Sequence, residues 1–171
     1  MKIIYFLLIV ILNFSSNAFA DNIKKTGDIL QIALPIYALG ITIYNDDFID
    51  GGKNFLMTFI ATQASVEILK RTVREKRPDN SDKISFPSGH TAASFSSASF
   101  IHKRYGIKQA IVPYILASYV GYSRIKSKKH YTHDVVAGAL LAGTFSYFLV
   151  DKKISINSVG DGAIISYTSN F

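Results

Sequence analysis

Three stretches between Lys70 and Asp134 hold side chains suited to handling an anion: Lys70 with Arg77-Pro78, then Pro87-Ser88-Gly89-His90, then Ser123-Arg124 with His130 and Asp134. A phosphoryl group in transfer spreads charge over three equatorial oxygens, and its catalysis is mostly positioning and electrostatic stabilisation, so fixed cations suit it. Arg77 and Arg124 can each offer paired N–H bonds to phosphate oxygens, and Lys70 adds a point charge. Pro87 ahead of Ser88-Gly89-His90 reads as a loop entering a helix, where free backbone N–H groups at Gly89 and His90 would face an anion. Gly89 would also let the backbone approach closely. His130 and Asp134 are four apart, so on a helix begun by Tyr131 the carboxylate can hold one imidazole N–H. The other ring nitrogen is then an in-line nucleophile. No cluster of Asp, Glu and His with metal-ligand spacing stands out along the chain, so neither metal nor cofactor is expected.

Together the three stretches, in this order and spacing, resemble the tripartite signature of the type 2 phosphatidic acid phosphatase family, which includes bacterial non-specific acid phosphatases and vanadium haloperoxidases. The resemblance covers Lys70 to Asp134, with no departure at the signature positions. It implies a phosphatase in which His130 forms a phosphohistidine, His90 protonates the leaving alkoxide and later activates water, and Asp134 orients and polarises His130. Lys70, Arg77, Ser88, Gly89 and Arg124 would hold the phosphate, without a metal. A haloperoxidase would use the same cradle for vanadate, with His130 as its ligand, but the chain is short for that branch.

Composition narrows the class. The chain has 171 residues, 49% of them hydrophobic, and a mean hydropathy of +0.21, enough for one compact domain near a membrane or its surface. There is no cysteine, which removes disulfides and thiolate nucleophiles. The net charge is +7, and thirteen of the nineteen Lys and Arg lie between Lys70 and Lys129. This points to an anionic partner. No DNA- or RNA-reading motif accompanies the cations, so phosphorylated lipid or a small phosphoester is expected and nucleic acid is not. Residues 1–20 read as an export signal, with Lys2, the apolar run Ile3 to Leu12 and Ala18-Phe19-Ala20 before Asp21, or else as a first transmembrane helix. Either places Lys70 to Arg77 and Arg124 to Asp134 on the periplasmic side of a bacterial inner membrane, in an exported or an integral membrane protein.

The elements that must position these residues are helical. Apolar runs predict helices over about 29–44, 54–70, 91–101, 110–122 and 134–150, joined by short connections. The fold class is an all-α, up-down bundle of five to six helices, residues 21–153 forming the domain. The tail, 154–171, has Gly160-Asp161-Gly162 between alternating stretches and reads as β-hairpin-like. Up-down order puts Lys70 to Pro78, Pro87 to His90, Arg124 and His130 to Asp134 at one end. His102 falls at the other, in the Lys103-Arg104 turn. His133 reads as a supporting or surface residue, Glu67 as the partner of a nearby cation, and Arg71, Arg74 and Lys76 as a solvated or headgroup-facing rim.

Overall fold

A computed structural model describes residues 19–150, 152–159 and 162–169, with side chains described over 22–150. Residues 1–18 of the export signal expected over 1–20, and the Gly160-Asp161 turn, lie outside these residues. Five helices form the bundle: α1 (Phe19–Tyr44), α2 (Phe48–Val73), α3 (Gly89–Tyr105), α4 (Ile107–Lys126) and α5 (Thr132–Leu149). The fold class is all-α, and no sixth helix is found among the described residues. Past the bundle, β1 (Lys152–Val159) pairs antiparallel with β2 (Gly162–Ser169).

Helix ends follow local chemistry. Asp47 caps α2, its carboxylate accepting the Gly51 N–H at 3.2 Å, a contribution of about 1 kcal/mol. Arg74 closes α2 in the left-handed region (φ 53°), its N–H returning to Lys70 O. Ser88 caps α3. The expectation of four short connections fails at one place: α2 and α3 are separated by residues 74–88, and this long loop forms a wall of the site. Pro87 does lead into a helix, as its place ahead of Ser88-Gly89-His90 implies, but no residue pattern hints at the loop's folded path.

α3 is central, touching the other four helices. Its small residues suit that place. Ser94, Ser96, Ser97 and Ala98 are fully buried, which lets neighbouring backbones approach. At Gly138 of α5 an added Cβ would come within 2.6 Å of Ser88 O, so glycine is required where α5 crosses the start of α3. Apolar contacts gather around Phe55, Phe100 and Ile101 towards one end, and around Leu30, Leu34 and Val120 towards the other. The outer faces are apolar as well: Ile29, Ile32 and Ile36 of α1, Ile107, Ile111 and Ile115 of α4, and Val136 and Leu140 of α5 are exposed.

Candidate active site

The bundle brings the signature residues to one end, around a cavity of about 420 Å³ lined by Lys70, Arg77, Gly89, His90, Arg124 and His130, together with Lys24, Asp28, Ser81, Asp82 and Lys129. Asp134 stands behind His130. Its Oδ2 accepts from Ser85 Oγ at 2.5 Å and Tyr131 N at 2.9 Å, and lies 3.4 Å from His130 Nδ1. On the other side of the ring, Arg77 Nη1 is 3.3 Å from His130 Nε2. An arginine only donates and a carboxylate only accepts, so the consistent tautomer of the neutral ring has its hydrogen on Nδ1 and its lone pair on Nε2. Burial, then Arg77 and Lys70, push the His130 pKa down; the ring is neutral at physiological pH, with its lone pair turned towards the cations.

His90 follows Gly89 in the first turn of α3. Its Nε2 is 3.0 Å from Asp28 Oδ1. Burial, then Arg124, lower its pKa to about 4, against the opposing pull of Asp28. A dianion entering the cavity would reverse this, because a nearby negative charge favours the protonated ring.

The cations are partly committed. Arg124, 2% exposed, donates from Nη1 to Asp28 Oδ1 at 2.7 Å, from Nη2 to Lys24 O at 2.8 Å and from Nε to Ser123 Oγ at 3.0 Å. Arg77 donates from Nε to Asp82 Oδ1 and from Nη1 to Lys129 O. Lys70 Nζ reaches Ile84 O at 2.5 Å and Ser85 O at 3.4 Å, bracing the long loop. Its burial and the nearby Arg77 lower its pKa to about 8.

The Pro87 to His90 stretch leads the loop into α3. Ser88 does not line the cavity: its Oγ caps α3 and contacts Thr91 Oγ1 at 2.9 Å, while its N–H goes to Asp134 O. Nor does packing demand a glycine at 89, since an added Cβ would meet Val66 and Lys70 at ordinary contact distances. The rest of the predicted set stands around the cavity or directly behind it.

Sequence reasoning missed three contributors. Asp28 and Lys24 come from α1, whose start was placed at Ile29, one residue beyond Asp28, and Ser85 fixes Asp134. Apart from the cavity lining, Glu75 of the loop meets His133 and Asp134, the kind of Asp, Glu and His cluster that spacing along the chain did not reveal. His102 lies at the opposite end beside Tyr114, and Glu67 pairs with Arg71.

A model of the PAP2 superfamily matches residues 51–153. The chain is 29% identical over 141 residues to the lipid A 4'-phosphatase of Helicobacter pylori, covering 76% of this chain and 70% of that one. It is 38% identical over 81 residues to the lipid A 1-phosphatase of Porphyromonas gingivalis, covering 44% of this chain but 18% of that protein. The fold matches the crystal structure of Aquifex aeolicus LpxE with a TM-score of 0.65 at 20% identity, covering 82% of this chain and 90% of that one. It also matches a transmembrane PAP2 type phosphatidylglycerolphosphate phosphatase from Bacillus subtilis, with a TM-score of 0.54 at 19% identity, over 86% and 92%.

Proposed function

Because the chain belongs to the PAP2 superfamily, we propose that it hydrolyses a phosphomonoester or pyrophosphate of a lipid through a phosphohistidine on His130, without a metal. The observation that carries this reading is a single cavity lined by two neutral-poised histidines and the cations Lys70, Arg77 and Arg124.

In the first step the Nε2 lone pair of His130 attacks phosphorus, the bond to the ester oxygen breaks, and His90 gives that oxygen a proton. Asp134 holds Nδ1–H and stabilises the charge that develops on the ring. In the second step His90 takes a proton from water, the oxygen attacks phosphorus, and the P–N bond returns its electrons to His130. Arg77 and Arg124 stabilise the equatorial oxygens in both steps. The substrate dianion supplies the field that raises the His90 pKa, so its binding charges the acid that chemistry then uses. Asp28 holds His90 and Arg124 in the ligand-free site.

A lipid substrate is supported by the apolar outer faces of the bundle and by α1. Its segment Asn22–Tyr44 is the one helix among the described residues long and apolar enough to cross a membrane. The exposed cations Arg71, Arg74, Lys126 and Lys128 suit a headgroup region at the site's end. That two of its relatives are lipid A phosphatases supports the same class. We place the site on the periplasmic side. A Cys introduced at Ser127 should react with an impermeant reagent in intact spheroplasts, and protection there would overturn the sidedness.

The deciding experiment assays phosphorylated lipids and soluble esters in excess chelator, with acid-labile phosphoenzyme trapped by rapid quench. The expected result is chelator-resistant turnover, highest on lipids, with phosphate on His130. Full activity on soluble esters alone would favour an acid phosphatase, and a strict magnesium requirement would overturn the mechanism.

A further inference from the structure

Outside the cavity lining, Glu75 of the α2–α3 loop faces His133 and Asp134 at the start of α5. His133 Nε2 is 2.9 Å from Glu75 Oε1, 3.1 Å from Glu75 Oε2 and 3.2 Å from Asp134 Oδ1. Two carboxylates thus converge on one imidazole nitrogen, which carries at most one hydrogen. The contact to Glu75 has hydrogen-bond geometry, whereas Asp134 Oδ1, on a side chain with no exposure, has no hydrogen bond at all. A charged oxygen withdrawn from water without a donor is costly. A cation at the meeting point would satisfy all three groups.

The donor set selects among cations. One imidazole with two carboxylates suits Zn²⁺, while Ca²⁺ and Mg²⁺ prefer all-oxygen shells. Tetrahedral zinc with bonds of about 2.0–2.2 Å sets its donors about 3.3 Å apart, within a few tenths of an ångström of the His133 separations here. The ligands are also oriented. His133, though exposed, is stacked on Tyr131 with centroids 5.3 Å apart and rings 9° from parallel, and Phe86 lies near it at 6.1 Å. Ser85 and Tyr131 hold Asp134 Oδ2, which fixes the direction of Oδ1.

We propose that Glu75, His133 and Asp134 form a zinc site, and that zinc bound there inhibits the enzyme. The inhibition rests on the reading of Asp134 as the partner of His130. Both oxygens belong to one carboxylate, so a dication on Oδ1 weakens Oδ2 as the acceptor for His130 Nδ1–H and leaves Nε2 less nucleophilic. Zinc is then a brake, and chelator raises activity.

The test uses the full chain without a histidine tag, stripped by chelator. Co²⁺ is titrated as a coloured substitute, Zn²⁺ displaces it, and turnover of an aryl phosphate is followed in parallel. The expected result is the visible bands of a four-coordinate cobalt site saturating at one ion per chain. Turnover should fall about tenfold or more as either dication saturates the site, and stay low when zinc displaces cobalt. His133→Gln and Glu75→Gln should keep their zinc-free turnover, bind cobalt at least about tenfold more weakly and resist zinc. Absence of the bands in the wild type, equal cobalt binding in both variants, or undiminished zinc inhibition in both would overturn the proposal. If the zinc-free wild type hydrolyses no phosphoester, the phosphatase reading fails, and the cobalt bands still decide the site.

Discussion

Each end of the bundle ties two distant helices together through an aspartate and an arginine, and the two ends use them differently. At the end away from the cavity, Asp47 accepts from Arg104 Nε at 2.5 Å, Arg104 Nη2 at 2.8 Å, Tyr105 Oη at 2.7 Å and Gly51 N at 3.2 Å. Four donors saturate the carboxylate, and its side chain is 21% exposed. At the cavity end, Asp28 is 35% exposed, and His90 and Arg124 share its Oδ1 beside further cations. The first pair is a lock. In the second, Asp28, His90 and Arg124 all line the cavity, where an entering phosphate can take the place of the carboxylate. Residue type does not separate a structural ion pair from an anion site; what separates them is whether the pair lines a cavity.

The comparison is broken most directly at the proposed nucleophile. His130→Ala should abolish phosphoenzyme and lower turnover on the order of 10⁴-fold or more for every ester, with the fold retained by circular dichroism. Substantial residual turnover would move the chemistry elsewhere. Next in size is the acid. His90→Ala should slow phosphorylation of His130 from an alkyl phosphate by about 10² to 10⁴ and scarcely affect that from a nitrophenyl phosphate, whose leaving group needs no proton. Equal losses, read by rapid quench, would make His90 a positioning residue.

The open end should also take up a proton with its anion. The His90 pKa is about 4 in the ligand-free site, and a bound dianion raises it. Between the free and bound values the affinity for tungstate, which does not itself titrate near neutrality, should fall up to about tenfold per unit as pH rises. Above the bound value it should level off. Calorimetry in buffers of different ionisation enthalpy would read the proton uptake, and His90→Ala should remove it.

The smallest effects set the two aspartates side by side. Asp28→Asn removes a negative charge from the cavity and should tighten inhibition by inorganic phosphate about tenfold while lowering turnover. Asp47→Asn should leave phosphate inhibition unchanged and cost about 1–3 kcal/mol of stability. Identical consequences for the two would dissolve the distinction between lock and site.

The signature residues were legible because their spacing maps onto an up-down bundle: Lys70, His90, Arg124 and His130 must share an end if helices alternate. The same reasoning reaches Asp28 once α1 begins at Phe19. It failed because Asp21, Asn22, Lys24, Lys25 and Asp28 read as polar chain preceding a helix. Lys24 and Asp28 in fact pair one turn apart at 3.1 Å, and α1 docks on α4. Contacts made by the 74–88 loop were not legible for another reason. Ser85 on Asp134 and Glu75 on His133 depend on how an aperiodic segment folds back, and no residue pattern encodes that path. The cap made by Ser88 was not legible because a cap and a phosphate ligand ask for the same hydroxyl.

The close seat of α1 has a consequence in time. At Gly27 an added Cβ would collide with Ser123 Oγ and come within 2.7 Å of Arg124 Nη2, so this wall of the cavity exists only where residues 27–28 lie directly against 123–124. Synthesis at about 5–20 residues per second separates those two segments by roughly 5 to 20 seconds. During that interval the first helix has emerged and the cradle has no Arg124, and His130 and Asp134 follow later still. On the phosphatase reading, the growing chain therefore has no complete site with which to cleave a phosphoester until the last helix has been delivered.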